Sequence, residues 1–123
     1  MAQTLSNQLD IILNTFERNV PYVQATAIVS TDGLVIASRL PDKVEEDRIG
    51  AMGAAILSIS SRSGDELDRG DMERVLIEGK SGFLLLHSIG ADAILVSLAD
   101  KEVRLGMLFY ECKKCINQLN EIL

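Results

Sequence analysis

Two cysteines, Cys112 and Cys115, stand in C-x-x-C spacing and are the only thiols of the chain. That spacing suits half of a zinc site or a redox pair. Zinc needs four ligands, and the single histidine, His87, falls in an apolar strand pattern, so one chain holds no second ligand pair. A redox pair opens a helix just after a strand, whereas these cysteines fall inside a predicted helix. Two thiols packing as small apolar groups is the better reading, with a metal site shared between chains as its alternative. Gly79-Lys80-Ser81 matches the last three residues of a phosphate-binding loop. The full pattern requires glycine where Arg74 stands, and this segment joins two strands instead of opening a helix. His87 lies among Leu84, Leu85, Leu86 and Ile89 with no carboxylate or nucleophile pattern near it. Asp32, Asp65, Asp68 and Asp71 occupy turn positions, where aspartate serves local hydrogen bonding. The expectation is therefore no catalytic residue, no metal, no cofactor and no enzyme activity.

Composition narrows the remaining classes. A net charge of −6 argues against non-specific binding to nucleic acid or an anionic membrane. No apolar run reaches the ~20 residues of a membrane span, so no membrane insertion is expected. The few cysteines and the absence of an N-terminal apolar run point to the cytoplasm. One domain, residues 1–123, is expected at this length.

The elements follow from periodicity. Leu5, Leu9, Ile12, Leu13 and Phe16 recur at helical spacing, and Pro21 ends that helix. VQATAIVS and LVIAS flank Thr31-Asp32-Gly33 as a hairpin, with Gly33 supplying a positive φ. MERVLIE, FLLLHSI and AILVSLA, separated by GKSG and GAD, read as an antiparallel meander. Asp100 is placed to cap a last helix whose inner positions are Leu105, Leu108, Phe109, Cys112, Ile116, Leu119 and Ile122. The predicted fold class is α/β (α+β), ordered α-β-β-α-β-β-β-α. One five-stranded antiparallel sheet carries a long helix on one face and the N- and C-terminal helices on the other.

The long helix, predicted over Val44 to Arg69, is the unusual element. Ile49, Met52, Ile56, Ile59 and Leu67 form one arc, read as the core face. Beside it runs a stripe of mostly small residues, Gly50, Gly53, Leu57, Ser61 and Gly64. The remaining arc offers only Ala51, Ala54, Ala55 and Ser58 at mid-helix, with Arg48 and Arg62 near its borders. A helix uncharged on every side through its middle is expected to be covered on more than one side. Glycine in a helix interior costs up to ~1 kcal/mol relative to alanine, which close approach of another backbone would offset. That backbone belongs either to a second copy or to the chain's own sheet.

These stretches resemble the Roadblock/dynein light-chain family. The resemblance is carried by AIVSTDGLVIAS, by RIGAMGAAILSISSRSGDEL and by ERVLIEGKSGFLLLHSIGADAILVSLA. It implies a profilin-like topology and a homodimer, with long helices side by side and third strands paired. The implied dimer interface comprises Gly50, Gly53, Leu57, Ser61 and Gly64 on the helix, and Arg74, Val75, Leu76 and Ile77 on the strand. It further implies an MglB-like, non-catalytic partner of a small Ras-like GTPase, or else a scaffold subunit without effect on nucleotide turnover. The implied partner-binding face is Arg48, Ala51, Ala54, Ala55, Ser58 and Arg62.

Overall fold

The structure is a computed structural model that describes residues 4–123. Its elements run α1 (Leu5–Asn19), β1 (Val23–Ser30), β2 (Val35–Arg39), α2 (Glu46–Glu66), β3 (Arg74–Gly79), β4 (Gly82–Ile89), β5 (Ala93–Asp100) and α3 (Leu105–Ile122). Thr4 caps α1, its hydroxyl accepting the Asn7 N–H at 3.2 Å. Gly33 takes φ +89° in the β1–β2 turn, as that turn requires. The strands form one antiparallel sheet in the order β2-β1-β5-β4-β3.

Alternation along the strands sorts side chains onto two faces. Phe83, Leu85, Ile89, Leu95 and Ala99 face α1 and α3, where they meet Leu9, Leu13, Phe16, Leu108, Cys112 and Leu119. Ala27, Val29, Leu86, Ile94 and Val96 face α2. The three-layer arrangement matches the expected fold class. Asp100 does not cap α3: that position is held by Arg104, and the Asp100 carboxylate accepts the Glu102 N–H at 2.9 Å in a local turn.

The inward face of α2 is only partly the expected one: Ile49 and Ile56 pack against the α2-side core, but the rest of that arc does not. Met52, Ile59 and Leu67 are 55%, 69% and 67% exposed. The buried residues of the helix are Gly50 and Gly53. A Cβ on Gly50 would collide with the carbonyl oxygen of Gly33, and one on Gly53 would lie 3.3 Å from Ile94 and 3.4 Å from Val96. One on Gly64 would sit 2.6 Å from the carbonyl oxygen of Gly70. Leu57 packs on the same side as Val29 and Ile94. The small stripe is therefore turned toward the chain's own sheet and loops. The sequence assigns Gly50, Gly53, Leu57, Ser61 and Gly64 to a contact with a second copy; the close backbone approach that Gly50, Gly53 and Gly64 permit is made within the chain.

The two sheet edges are unlike. On β2 the register steps from Ile28↔Ala37 to Val29↔Val35, leaving Ile36 as the extra residue of a bulge. On β3 the pairing with β4 runs from Arg74↔His87 to Gly79↔Gly82 without a step. Bulges blunt an edge against further pairing, so β2 is blunted and β3 is open.

The cysteines sit in the core. Both are unbonded and buried, and burial is the main cause that pushes each thiol up to about 12. For Cys112 the neighbouring Cys115 adds to the rise and Arg74 opposes it; for Cys115 the addition comes from Glu111. Reaction with a disulfide reagent needs the thiolate and access to it, so both thiols should be silent in the folded protein at pH 8 and react after denaturation. Rapid labelling of native protein would contradict their placement. From pH 9 upward the unfolded chain loses thiol protons that the folded chain keeps, so stability should fall as pH rises, measurable by urea unfolding. A second prediction concerns Gly50→Ala. Alanine gains ~1 kcal/mol of helix propensity, but the collision with Gly33 outweighs it, for a net loss of about 2 kcal/mol. Urea unfolding of Gly50→Ala should show that loss, and an unchanged or raised midpoint would refute the contact.

Candidate protein-interaction face

With its glycines turned inward, α2 presents two other surfaces. The outward ridge is Arg48, Ala51, Ala55, Ser58 and Arg62, all exposed. Arg62 is held by Glu66 one turn on, Nε to Oε1 at 2.9 Å, an exposed pair of the kind worth a few tenths of a kcal/mol. Ala54 is half-buried, turned toward the hairpin at Gly33, so it borders the ridge and is not part of it. The structure thus brings together five of the six residues expected on the partner-binding face. Arg69, at the loop beyond α2, spends its Nε on the carbonyl oxygen of Leu67 at 2.9 Å.

The second surface is the aliphatic flank. Ile49, Met52 and Ile56 border a groove of about 220 Å³ whose other walls include Leu84, Leu86, Val96 and Leu98. Nearly all of this lining is hydrocarbon. Farther along, Ile59 shares a second open groove with Val75 at the start of β3. Val75 and Ile77 pair with Leu86 and Leu84, which puts them on the α2 side of the sheet, and Ile77 is 43% exposed. Flank, groove and open edge therefore form one strip, apolar from the groove to Ile77, with Ser60, Ser63, Arg69 and Asp71 lining its far end beside Ile59. Of the strand residues assigned to an interface, Val75 and Ile77 lie on this strip, while Arg74 and Leu76 face α3. Sequence reasoning missed Met52, Ile59, Leu84 and Leu98 as surface residues. The available signal was the glycine stripe itself, since the arc able to approach a sheet most closely is the one without side chains.

The remaining candidates do not converge. His87 is half-buried on β4, its Nδ1 3.2 Å from the Ser88 carbonyl oxygen. Lys80 and Ser81 form the β3–β4 turn. Asp65 and Asp71 line a cleft with Thr31, Ser61 and Ser88. Among the described residues no group of three or more His, Cys, Asp or Glu side chains could hold a metal ion. Among the described residues no helix is long and apolar enough to cross a membrane.

Comparison with known proteins gives this geometry a context. The family model for the Roadblock/LC7 domain matches residues 13–99. The uncharacterized protein MJ0310 of Methanocaldococcus jannaschii is 35% identical over 97 residues, covering 79% of this chain and 84% of that protein. A Roadblock/LC7 domain from Streptomyces avermitilis superposes with a TM-score of 0.86 at 25% identity, over 91% of this chain and 94% of that one. Myxococcus xanthus MglB superposes with a TM-score of 0.91 at 15% identity, over 99% and 92%, a likeness of fold. The family match spans the hairpin, α2 and the β3–β5 meander as far as Ala99, the elements that build the candidate face. The chain belongs to the Roadblock/LC7 domain family.

Proposed function

We propose that this protein is a non-catalytic, homodimeric regulator of a small Ras-like GTPase. The observation that carries the reading is the apolar strip: the α2 flank, the hydrocarbon groove and the unblocked β3 edge lie side by side on one face. A second copy related by a two-fold axis covers all three at once, its α2 flank against this one and its β3 against this edge. Such an isologous contact closes on itself and leaves only the bulged β2 edges exposed. The assignment of the partner as a small Ras-like GTPase rests on the family resemblance and on the fold likeness to MglB.

In this dimer the two α2 ridges lie on the same side. Ala51, Ala55 and Ser58 of each copy make a flat, uncharged centre, bordered by Arg48 and Arg62. An apolar centre within a polar rim is the usual anatomy of a protein-binding patch. The ridges straddle the two-fold axis, so one asymmetric GTPase covers both, giving two copies of this chain per GTPase. The second reading is a scaffold subunit that binds a complex without altering nucleotide turnover. It uses the same faces.

The dimer and the docking face are separable by mutation. Ile59→Asp, on the flank, should convert a dimer into a monomer in sedimentation velocity at micromolar concentration. Ala55→Arg, on the ridge, should leave the dimer intact and weaken GTPase binding at least tenfold. A wild type that sediments as a monomer refutes the dimer. Undiminished binding by Ala55→Arg places docking elsewhere. GTP hydrolysis by the bound GTPase, with and without this protein, separates regulator from scaffold.

A further inference from the structure

We infer that β3 is complementary to itself in one register, with Leu76 on the two-fold axis and Arg74 opposite Glu78 of the second copy. The inference rests on the homodimer proposed above and goes beyond it by specifying which residues meet. The phase of β3 is set by its pairing to β4. The Ser88 N–H donates to the Glu73 carbonyl oxygen at 2.9 Å, so the backbone groups of Glu73 and of alternate residues after it point toward β4. Those of Arg74, Leu76 and Glu78 point to the open edge and await partners.

A two-fold axis perpendicular to the sheet pairs two copies of β3 antiparallel and keeps α2 of both on one side. Each residue must then lie opposite one from its own face: Arg74, Leu76 and Glu78 pair among themselves, as do Val75 and Ile77. Centring on Arg74 or Glu78 opposes that charge to itself, and Gly79 is the end of the strand, which leaves three registers, centred on Val75, Leu76 and Ile77. Centring on Ile77 sets Arg74 opposite Lys80, a like-charge pair, and sets Leu76 opposite Glu78. Centring on Val75 sets Arg74 opposite Leu76 and Glu73 opposite Ile77, an apolar residue facing a charge in each case. Centring on Leu76 sets Arg74 opposite Glu78 twice, Val75 opposite Ile77 twice, and Leu76 opposite itself. Directly opposed unlike charges and β-branched pairs stabilise a ladder, and opposed like charges destabilise it. Only the last register has every pair favourable.

The side chains are free to make these contacts. Arg74 has no carboxylate partner among the described residues; its guanidinium lies 4.1 Å from the centre of the Phe109 ring. Glu78 Oε2 accepts from the Lys101 ammonium at 2.5 Å, which leaves Oε1 for a second cation. Leu76 is 37% exposed, on the α3 face between them. The ring contact leaves the guanidinium N–H groups unpaired with any carboxylate among the described residues, free for one from the second copy.

The test is a charge swap on the full chain, read as the dimer dissociation constant by sedimentation, with cysteine cross-linking as a second readout. Arg74→Glu and Glu78→Arg should each weaken the dimer about tenfold or more, and the double variant should return to within about threefold of wild type. Of Val75→Cys, Leu76→Cys and Ile77→Cys, only Leu76→Cys should form an intermolecular disulfide efficiently under mild oxidation, since a residue on the axis faces its own copy. Cross-linking through Ile77→Cys or Val75→Cys, tighter dimers with Arg74→Glu, unchanged constants in both single variants, or no recovery in the double variant would each overturn this register while leaving the homodimer standing. A monomeric wild type would instead overturn the homodimer reading itself.

Discussion

The contact between α2 and the β1–β2 turn decides most of what this molecule shows to solvent. Gly50 meets the Gly33 carbonyl at a separation no Cβ could tolerate, and Gly53 lies directly over Ile94 and Val96. A helix held this close turns its glycine arc to the sheet, with Ile49, Ile56 and Leu57 packing at the borders of that arc. Rotation about its axis is then fixed, and Met52 and Ile59 are carried outward with it. The glycines lower helix propensity by up to ~1 kcal/mol each, and the exposed aliphatics forgo burial worth ~1.5–3 kcal/mol each. Both costs make sense for a helix with two partners, its own sheet on one arc and another protein on the next.

The sheet is built for the same division. On the α1 and α3 side, Leu9, Leu13, Leu85, Leu95, Leu108 and Leu119 close the core. On the α2 side the helix covers the β1 half of the sheet, and Leu84, Leu98 and Ile77 toward the β3 edge remain accessible. The edges repeat the asymmetry, with a bulge at Ile36 on β2 and an unbroken ladder on β3. An open edge next to an open apolar strip is an aggregation hazard unless both are covered together. In the proposed homodimer one self-complementary contact does this and also sets the two outward ridges side by side.

Charge follows the same plan. The ridge is uncharged between Arg48 and Arg62, while acidic residues gather at the helix N-terminus, Glu46 and Asp47, where the helix dipole favours them. Lys101 and Arg74 lie over Phe83 and Phe109 on the opposite side of the sheet. The aromatic residues, few as they are, position cations along the β3 edge.

Element order, strand pairing and the three layers were legible in the sequence because period-2 and period-3.6 patterns report local geometry directly. The Roadblock/LC7 assignment was legible for a related reason: AIVSTDGLVIAS and the small-residue helix combine a turn requirement with a packing requirement over most of the chain. The openness of MERVLIE as an edge could be anticipated from its place in the meander. The rotation of α2 could not be read this way. A helical wheel ranks arcs by hydrophobicity, and Ile49, Met52, Ile56 and Ile59 outrank Gly50, Gly53 and Gly64 on any such scale. What turned the helix was a backbone contact between Gly33 and Gly50, residues distant in sequence, whose energy lies in the absence of atoms. The residues of each arc were determined by the sequence alone. Which arc faced the sheet was decided only in the tertiary structure, because close packing rewards the surface that fits and not the one that is most apolar.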